Sequence, residues 1–159
     1  MAKKKTTTLA MRALDEAGIP YEPRQQARKQ YTADGVADDL GVPVAWVVKA
    51  MLVQTSDRSF ALFVIPGDKQ LSLKAVGAAL GDKHVQLAGQ RDVERVTGYR
   101  VGAVSILGYR RDDVPSYVDQ DVLALARAVI SSGRPDMGLE MDPADIARAL
   151  DAKVGEYAY

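Results

Sequence analysis

The chain has 159 residues, 47% of them hydrophobic and 26% charged, a balance that suits a folded domain large enough to bury a core without disulfide or metal support. It contains no cysteine and a single histidine, His84, which excludes disulfides, zinc-thiolate and iron–sulfur sites, cysteine nucleophiles and any multi-histidine metal centre. Its 21 Lys+Arg cancel 21 Asp+Glu, so no strong general affinity for nucleic acid and no DNA partner are expected.

The basic groups Lys3–Lys5, Arg24 with Arg28 and Lys29, and Arg110–Arg111 read as solvated surface. The N-terminus lacks a signal-peptide apolar region, because Arg12, Asp15 and Glu16 interrupt it. The apolar runs around Val47–Val53 and Phe60–Pro66 are far shorter than the ~20 residues of a spanning helix. A cytoplasmic location without a membrane partner is the expectation.

From Thr8, the spacing of Leu9, Ala10, Ala13, Leu14 and Ala17 predicts a helix that stops at Gly18. Tyr21–Gln26 reads as extended, and Thr32 caps a short helix that turns Val36, Ala37 and Leu40 inward. Trp46–Thr55 and Phe60–Pro66 form an antiparallel hairpin around Ser56–Ser59. Ser72 caps a helix through Leu73, Val76, Ala79 and Leu80 that ends at Gly81. There follow a strand at His84–Ala88, a helix at Arg91–Thr97, a strand at Tyr99–Leu107 interrupted by Gly102, and strands at Ser116–Val118, Ala124–Ile130 and Leu139–Met141. A last helix has Asp142 as cap, Pro143 at its first position and Ile146, Ala147 and Leu150 as its buried stripe. Without repeats or long linkers, the expectation is one domain over 1–159 of α+β class, with a curved mixed sheet and helices packed outside.

Lys49 stands mid-strand, with Val47, Met51 and Val53 on its own face. A lysine among apolar neighbours either snorkels to water, the commoner outcome, or faces a polar cavity. Glycines at 98, 102 and 108 surround a short apolar stretch. That pattern is either a bulged edge or a loop of backbone amides able to hold a carbonyl or phosphate oxygen. The spacing matches neither the dinucleotide nor the phosphate-loop fingerprint. The loop from Ser131 to Gly138 reads as a turn, His84 as a surface residue, Asp142 and Asp145 as helix-start carboxylates, and Asp38-Asp39 and Asp112-Asp113 as solvated charge rather than metal pairs.

Taken in order, Val48-Lys49-Ala50-Met51-Leu52-Val53, Gly67 to Lys74, Thr97 through Gly108, and Gly138-Leu139-Glu140 ahead of the Pro143 helix resemble the YbaK/ProX family over nearly the whole chain. Those are free-standing aminoacyl-tRNA deacylases, similar to the editing insertion of bacterial prolyl-tRNA synthetase. The resemblance implies a sheet curved into a partial barrel and a pocket for the aminoacyl-adenosine end of tRNA. It places Lys49 as the pocket lysine facing the terminal adenosine or its phosphate. Gly102 to Ile106, with Ala103 and Ser105 between, falls on a Gly-x-x-x-Pro loop whose amides approach the ester carbonyl, with Ile106 standing where the family has proline. It sets Gly133 in a second glycine loop, Glu140 as an acidic pocket residue, and Tyr31 and Thr32 at the pocket mouth.

The implied reaction is ester hydrolysis of a misacylated tRNA, Cys-tRNA(Pro) or Ala-tRNA(Pro), with no cofactor, no metal and no side-chain nucleophile. A transient complex with a prolyl-tRNA synthetase or an elongation factor is the implied partnership. Two other readings remain open. One is a non-catalytic module that uses the pocket to hold a nucleotide or tRNA end, for which Ile106 speaks. The other is a serine hydrolase built on Ser105 and His84, which lacks a nucleophile-elbow pattern.

Overall fold

Side-chain caps set the starts of most helices. In the computed structural model, which describes residues 7–108 and 113–159, Thr8 accepts from Met11 N at 3.2 Å to open α1 (Leu9–Ala17). Thr32 does the same for α2 (Ala33–Leu40) at 3.1 Å, Ser72 for α3 (Leu73–Leu80), and Asp142 for α6 (Pro143–Leu150), where Pro143 takes the first turn. Each such cap is worth ~1 kcal/mol to its helix. Two further helices among the described residues are α4 (Gln90–Thr97) and α5 (Gln120–Leu123). The basic groups Lys3–Lys5 and Arg110–Arg111, and Asp112, lie outside the described residues.

The strands are β1 (Glu22–Gln25), β2 (Lys49–Gln54), β3 (Phe60–Ile65), β4 (Gln86–Leu87), β5 (Ser116–Asp119), β6 (Ala128–Ser131), β7 (Met137–Met141) and β8 (Lys153–Gly155). They make a five-stranded sheet in the order β4-β2-β3-β5-β8 and a three-stranded antiparallel sheet β1-β7-β6. In the larger sheet β2 pairs antiparallel with β3, while β3–β5 and β5–β8 run parallel. Every residue of β3 is buried. Its Leu62 and Val64 enter the main core with Leu14, Ile130, Leu139 and Ile146. Its Ala61 and Phe63 enter a second core, where Phe63 stacks on Tyr117 with centroids 4.6 Å apart and meets Tyr157 edge-on at 5.1 Å. Burial on both faces is why this strand reads as a continuous apolar run instead of an alternation.

Several expectations are corrected. The one curved sheet is two sheets, joined where Val48 N donates to Val129 O at 3.1 Å beside a Val47–Val129 bridge. Tyr99–Leu107 is not a strand but a string of turns and bends. Positive φ at Gly98, Gly102 and Gly108 breaks extension, and the Tyr99 hydroxyl donates to Leu107 O at 2.7 Å, folding the segment back on itself. Ala124–Ile130 divides into a turn that follows α5 and a strand that starts only at Ala128. The expected start at Trp46 moves to Lys49, because Val44–Trp46 coil into a 3-10 turn. The strand expected at His84–Ala88 shortens to β4, and that at Leu139–Met141 lengthens to Met137.

Strand β8 was not expected. It is held partly by Asp119, 1% exposed, whose carboxylate accepts from Tyr157 N at 2.8 Å and Ala158 N at 2.9 Å. Among the described residues no helix is long and apolar enough to cross a membrane.

Candidate functional site

A cleft of about 560 Å³, a size typical of small-ligand sites, opens where the two sheets meet. Its lining comes from Gln30 to Asp34 at the entry to α2, from Val47 through Leu52, from Leu87 and Ala88 ahead of α4, from Val101, Gly102 and Val104, from Ser131 at the end of β6 and from Arg134 in the β6–β7 connection. The junction of the sheets is therefore what creates the cavity: β2 supplies one side, and β6 with the start of the β6–β7 connection another.

Lys49 opens β2 opposite Ile65 and lines the cleft, half-buried. Its ammonium donates to the Lys69 carbonyl oxygen, and the Lys69 ammonium in turn pairs with Asp121. Among the described residues no carboxylate pairs with Lys49. The other basic lining residue, Arg134, is different. Its guanidinium donates to both Asp136 carboxylate oxygens, at 3.0 and 2.9 Å. That bidentate pairing holds the Asp136 carboxyl below its ordinary range.

Gly102 and Tyr31 are brought together. A Cβ on Gly102, where φ is 87°, would lie 2.8 Å from the Tyr31 Cβ, so a glycine lets the loop close against the start of α2. Tyr31 stays 53% exposed at the cleft. Thr32 also lines it, but its hydroxyl oxygen already accepts from Gly35 N. Among the described residues the Gly102 and Val104 N–H groups have no acceptor, whereas Ala103 N donates to Arg100 O at 2.9 Å.

The other expected site residues lie behind the lining. Ala103 is buried, and its carbonyl accepts from the Ser131 hydroxyl at 3.2 Å. Ser105 is fully buried and accepts from Leu107 N at 3.3 Å, while exposed His84 stands in the turn before β4, so no Ser–His pair forms. Ile106 sits in the main core. Gly133 lies against the Tyr99 ring, and its N–H donates to Ser131 Oγ at 3.1 Å. Glu140 is not in the cleft lining: it bridges Arg24 at 2.6 Å and Arg127 at 3.2 Å, tying β1 to β7 and to the approach to β6. Asp39 is likewise not free surface charge. Its side chain, 4% exposed, accepts from Gln30 at 3.1 Å and Arg28 at 3.2 Å, and those bonds, Gln30's first, hold its carboxyl below the ordinary range.

Sequence reasoning did not single out Tyr99, Ser131 or Arg134. Tyr99 connects both glycine loops, and its burial raises its hydroxyl pKa. Its position between glycines was the available signal, but nothing local tells a hub tyrosine from a turn tyrosine. Among the described residues no three His, Cys, Asp or Glu side chains gather as a metal site.

The sequence profile described as the aminoacyl-tRNA editing domain matches residues 27–149. The chain is 29% identical over 160 residues to an Enterococcus faecalis protein named "Putative Cys-tRNA(Pro)/Cys-tRNA(Cys) deacylase EbsC", covering 98% of this chain and 97% of that one. It is 30% identical over 137 residues to the proline–tRNA ligase of Desulforamulus reducens, covering 86% of this chain but only 24% of the ligase. In fold it is similar to a crystal structure described as "a putative trans-editing enzyme for prolyl tRNA synthetase", with a TM-score of 0.87 at 21% identity and 99% of each chain covered.

Proposed function

The chain belongs to the aminoacyl-tRNA editing domain family, and from that premise we propose that it hydrolyses the ester between a wrong amino acid and the 3′ end of a tRNA. The observation that carries this reading is one cleft lined both by an ammonium without a carboxylate partner, Lys49, and by a glycine loop that offers the unpaired Gly102 and Val104 amides. An ammonium suits a phosphate or ribose oxygen. Two backbone donors suit an ester oxygen that gains negative charge during attack.

In the proposed reaction water adds to the ester carbonyl carbon, the bond to the ribose oxygen breaks, and that oxygen takes up a proton. Free amino acid and deacylated tRNA leave. Attack is assisted by the substrate's own 2′-hydroxyl or, for cysteine, by its thiol, without metal or cofactor. Lys49 orients the nucleotide end through charged hydrogen bonds, each worth ~1.5–3 kcal/mol. The glycine loop stabilises the developing oxyanion, and losing one such donor costs ~10²–10³ in rate. Tyr31 and Thr32 border the ligand. Ala103, Ser105, Ile106 and Gly133 hold the loop from behind.

Cys-tRNA(Pro) or Ala-tRNA(Pro) is the proposed substrate. The printed name of the E. faecalis relative supports the cysteinyl ester. A second pocket is needed because one methylene discriminates by only ~10–200-fold in an apolar site. We place the chain in the cytoplasm as one domain over 1–159, and because its net charge of zero argues for weak tRNA affinity alone, in transient complex with a prolyl-tRNA synthetase or an elongation factor.

Deacylation of cysteinyl-, alanyl- and seryl-tRNA(Pro) by wild type and Lys49→Ala, with and without chelator, tests the proposal. Chelator-resistant release of one amino acid that falls in the variant supports it. Binding of an aminoacyl-adenosine analogue without release of any amino acid would favour the non-catalytic module instead.

A further inference from the structure

The cleft has a rim whose composition is unlike its interior. Large apolar side chains are exposed at Tyr31 (53%), Leu87 (48%) and Val101 (46%), and all three line the cavity. Beside them in the chain stand three exposed cations: Lys29 next to Gln30, Arg91 next to Gln90, and Arg100 next to Val101. Among the described residues none of these cations has an ion-pair partner, a property they share with Arg12, Arg58, Lys74, Lys83 and Lys153, which lie away from the cleft lining. The contact of Gly102 with Tyr31 places the Arg100 loop against the segment that carries Lys29.

Exposed flat or apolar side chains interleaved with unpaired cations are what a single-stranded nucleic acid requires. Bases stack on an aromatic ring such as Tyr31 and pack against aliphatic neighbours, and each phosphate meets a cation. A folded protein leaves solvent-exposed apolar groups scattered, so their gathering at one mouth, with unpaired positive charge alongside, marks a contact surface.

We propose that Lys29, Arg91 and Arg100, with the Leu87–Val101 lip, form a track for the single-stranded nucleotides that precede the esterified terminal nucleoside. This deepens the deacylase reading and rests on it. The track holds phosphates and bases without reading sequence, so identity of the tRNA is not decided there. It also reconciles a net charge of zero with an RNA substrate, since three cations without ion-pair partners stand beside the cleft mouth where the strand enters.

The test compares wild type with a Lys29→Gln/Arg91→Gln/Arg100→Gln variant and with an Arg12→Gln/Lys74→Gln/Lys83→Gln control, which removes the same charge from exposed sites away from the cleft lining. Two substrates are used, an aminoacyl-tRNA and the same amino acid esterified to adenosine alone. For the rim variant the KM for aminoacyl-tRNA is expected to rise about tenfold, and the slope of log affinity against log salt to fall by about 2, three single-strand phosphate contacts at ~0.7 each. Its kcat and its KM for the adenosine ester are expected to stay unchanged, and the control variant to behave as wild type.

An unchanged KM and salt slope, an equal rise with the adenosine ester, or an equal effect of the control variant would overturn the track. Absence of turnover by wild type on every substrate would instead remove the deacylase reading. In that case anisotropy titration of a short single-stranded RNA ending in adenosine still decides the track by the same salt slope.

Discussion

The Tyr99 ring fills the space that a side chain on Gly133 would need: a Cβ there would stand closer than 3.0 Å to Cε1. Gly133 also has φ of 95°, where side chains are strained. Gly133→Ala therefore has to displace the ring and with it the Leu107 end of the first loop, which Tyr99 holds by its hydroxyl at 2.7 Å. A loss of ~1–3 kcal/mol is expected in urea unfolding. Tyr99→Phe, which removes only the hydroxyl, is expected to lose ~1 kcal/mol. An unchanged midpoint for Gly133→Ala would show that the loops are not coupled through this ring.

Lys49 donates to the Lys69 carbonyl and lines the cleft with no carboxylate partner among the described residues. Lys49→Met keeps the stem and removes the charge. Its kcat/KM for deacylation is expected to fall about 10- to 150-fold, the equivalent of one charged hydrogen bond of ~1.5–3 kcal/mol. Unfolding by urea measures the separate structural cost of the bond to Lys69. A variant that retains wild-type kcat/KM while losing stability would confine Lys49 to a structural role.

Asp119 joins three parts of the chain, since its carboxylate also accepts from Asp121 N at 2.9 Å to start α5. Asp119→Ala leaves the buried Tyr157 N–H without its acceptor, at an expected cost of ~3 kcal/mol from lost charged bonds and an unsatisfied donor. Hydrogen exchange at Tyr157 and Ala158 is expected to accelerate with it. Protection as slow as in the wild type would mean that the C-terminal strand is held by other contacts.

Asp136 gives the cleft an acid-side dependence. The Arg134 bond holds its folded pKa below the unfolded value of 3.8, so its contribution is complete above 3.8 and is lost as pH falls through the folded value. The Gln26 amide, which donates to Asp136 O at 2.8 Å, reports on this connection. Its opening, read as the exchange rate divided by the intrinsic rate at the same pH, is expected to rise on acidification in wild type. In Asp136→Asn it should already be raised at neutral pH and respond less to acid. Identical pH profiles in the two proteins would detach the ion pair from the order of the loop.

What was legible in the sequence is what chemistry fixes over a few residues. Thr8, Thr32, Ser72 and Asp142 each bond an amide within their own first turn, so the helix starts follow from local spacing. The β2–β3 hairpin joins neighbours in the chain, and a lysine in an apolar alternation singles itself out without any fold. The glycines at 98, 102 and 108 announced an unusual backbone, but not that it would abandon the strand, because the bond that folds it back comes from a side chain choosing a carbonyl eight residues away.

The remainder depended on partners far apart in the chain. Glu140 looks like a free acid until β7 sets it against Arg24, 116 residues away, and near Arg127. The parallel pairing of β3 with β5 and of β5 with β8 leaves no turn signal, since such strands are joined by long connections. The cleft itself exists because the two sheets meet at Val47 and Val129. Local sequence determined the caps, the hairpin and the conspicuous lysine. Only the tertiary structure decided which loops face that lysine, because hydrogen bonds and packing between distant segments have no period for a sequence to display.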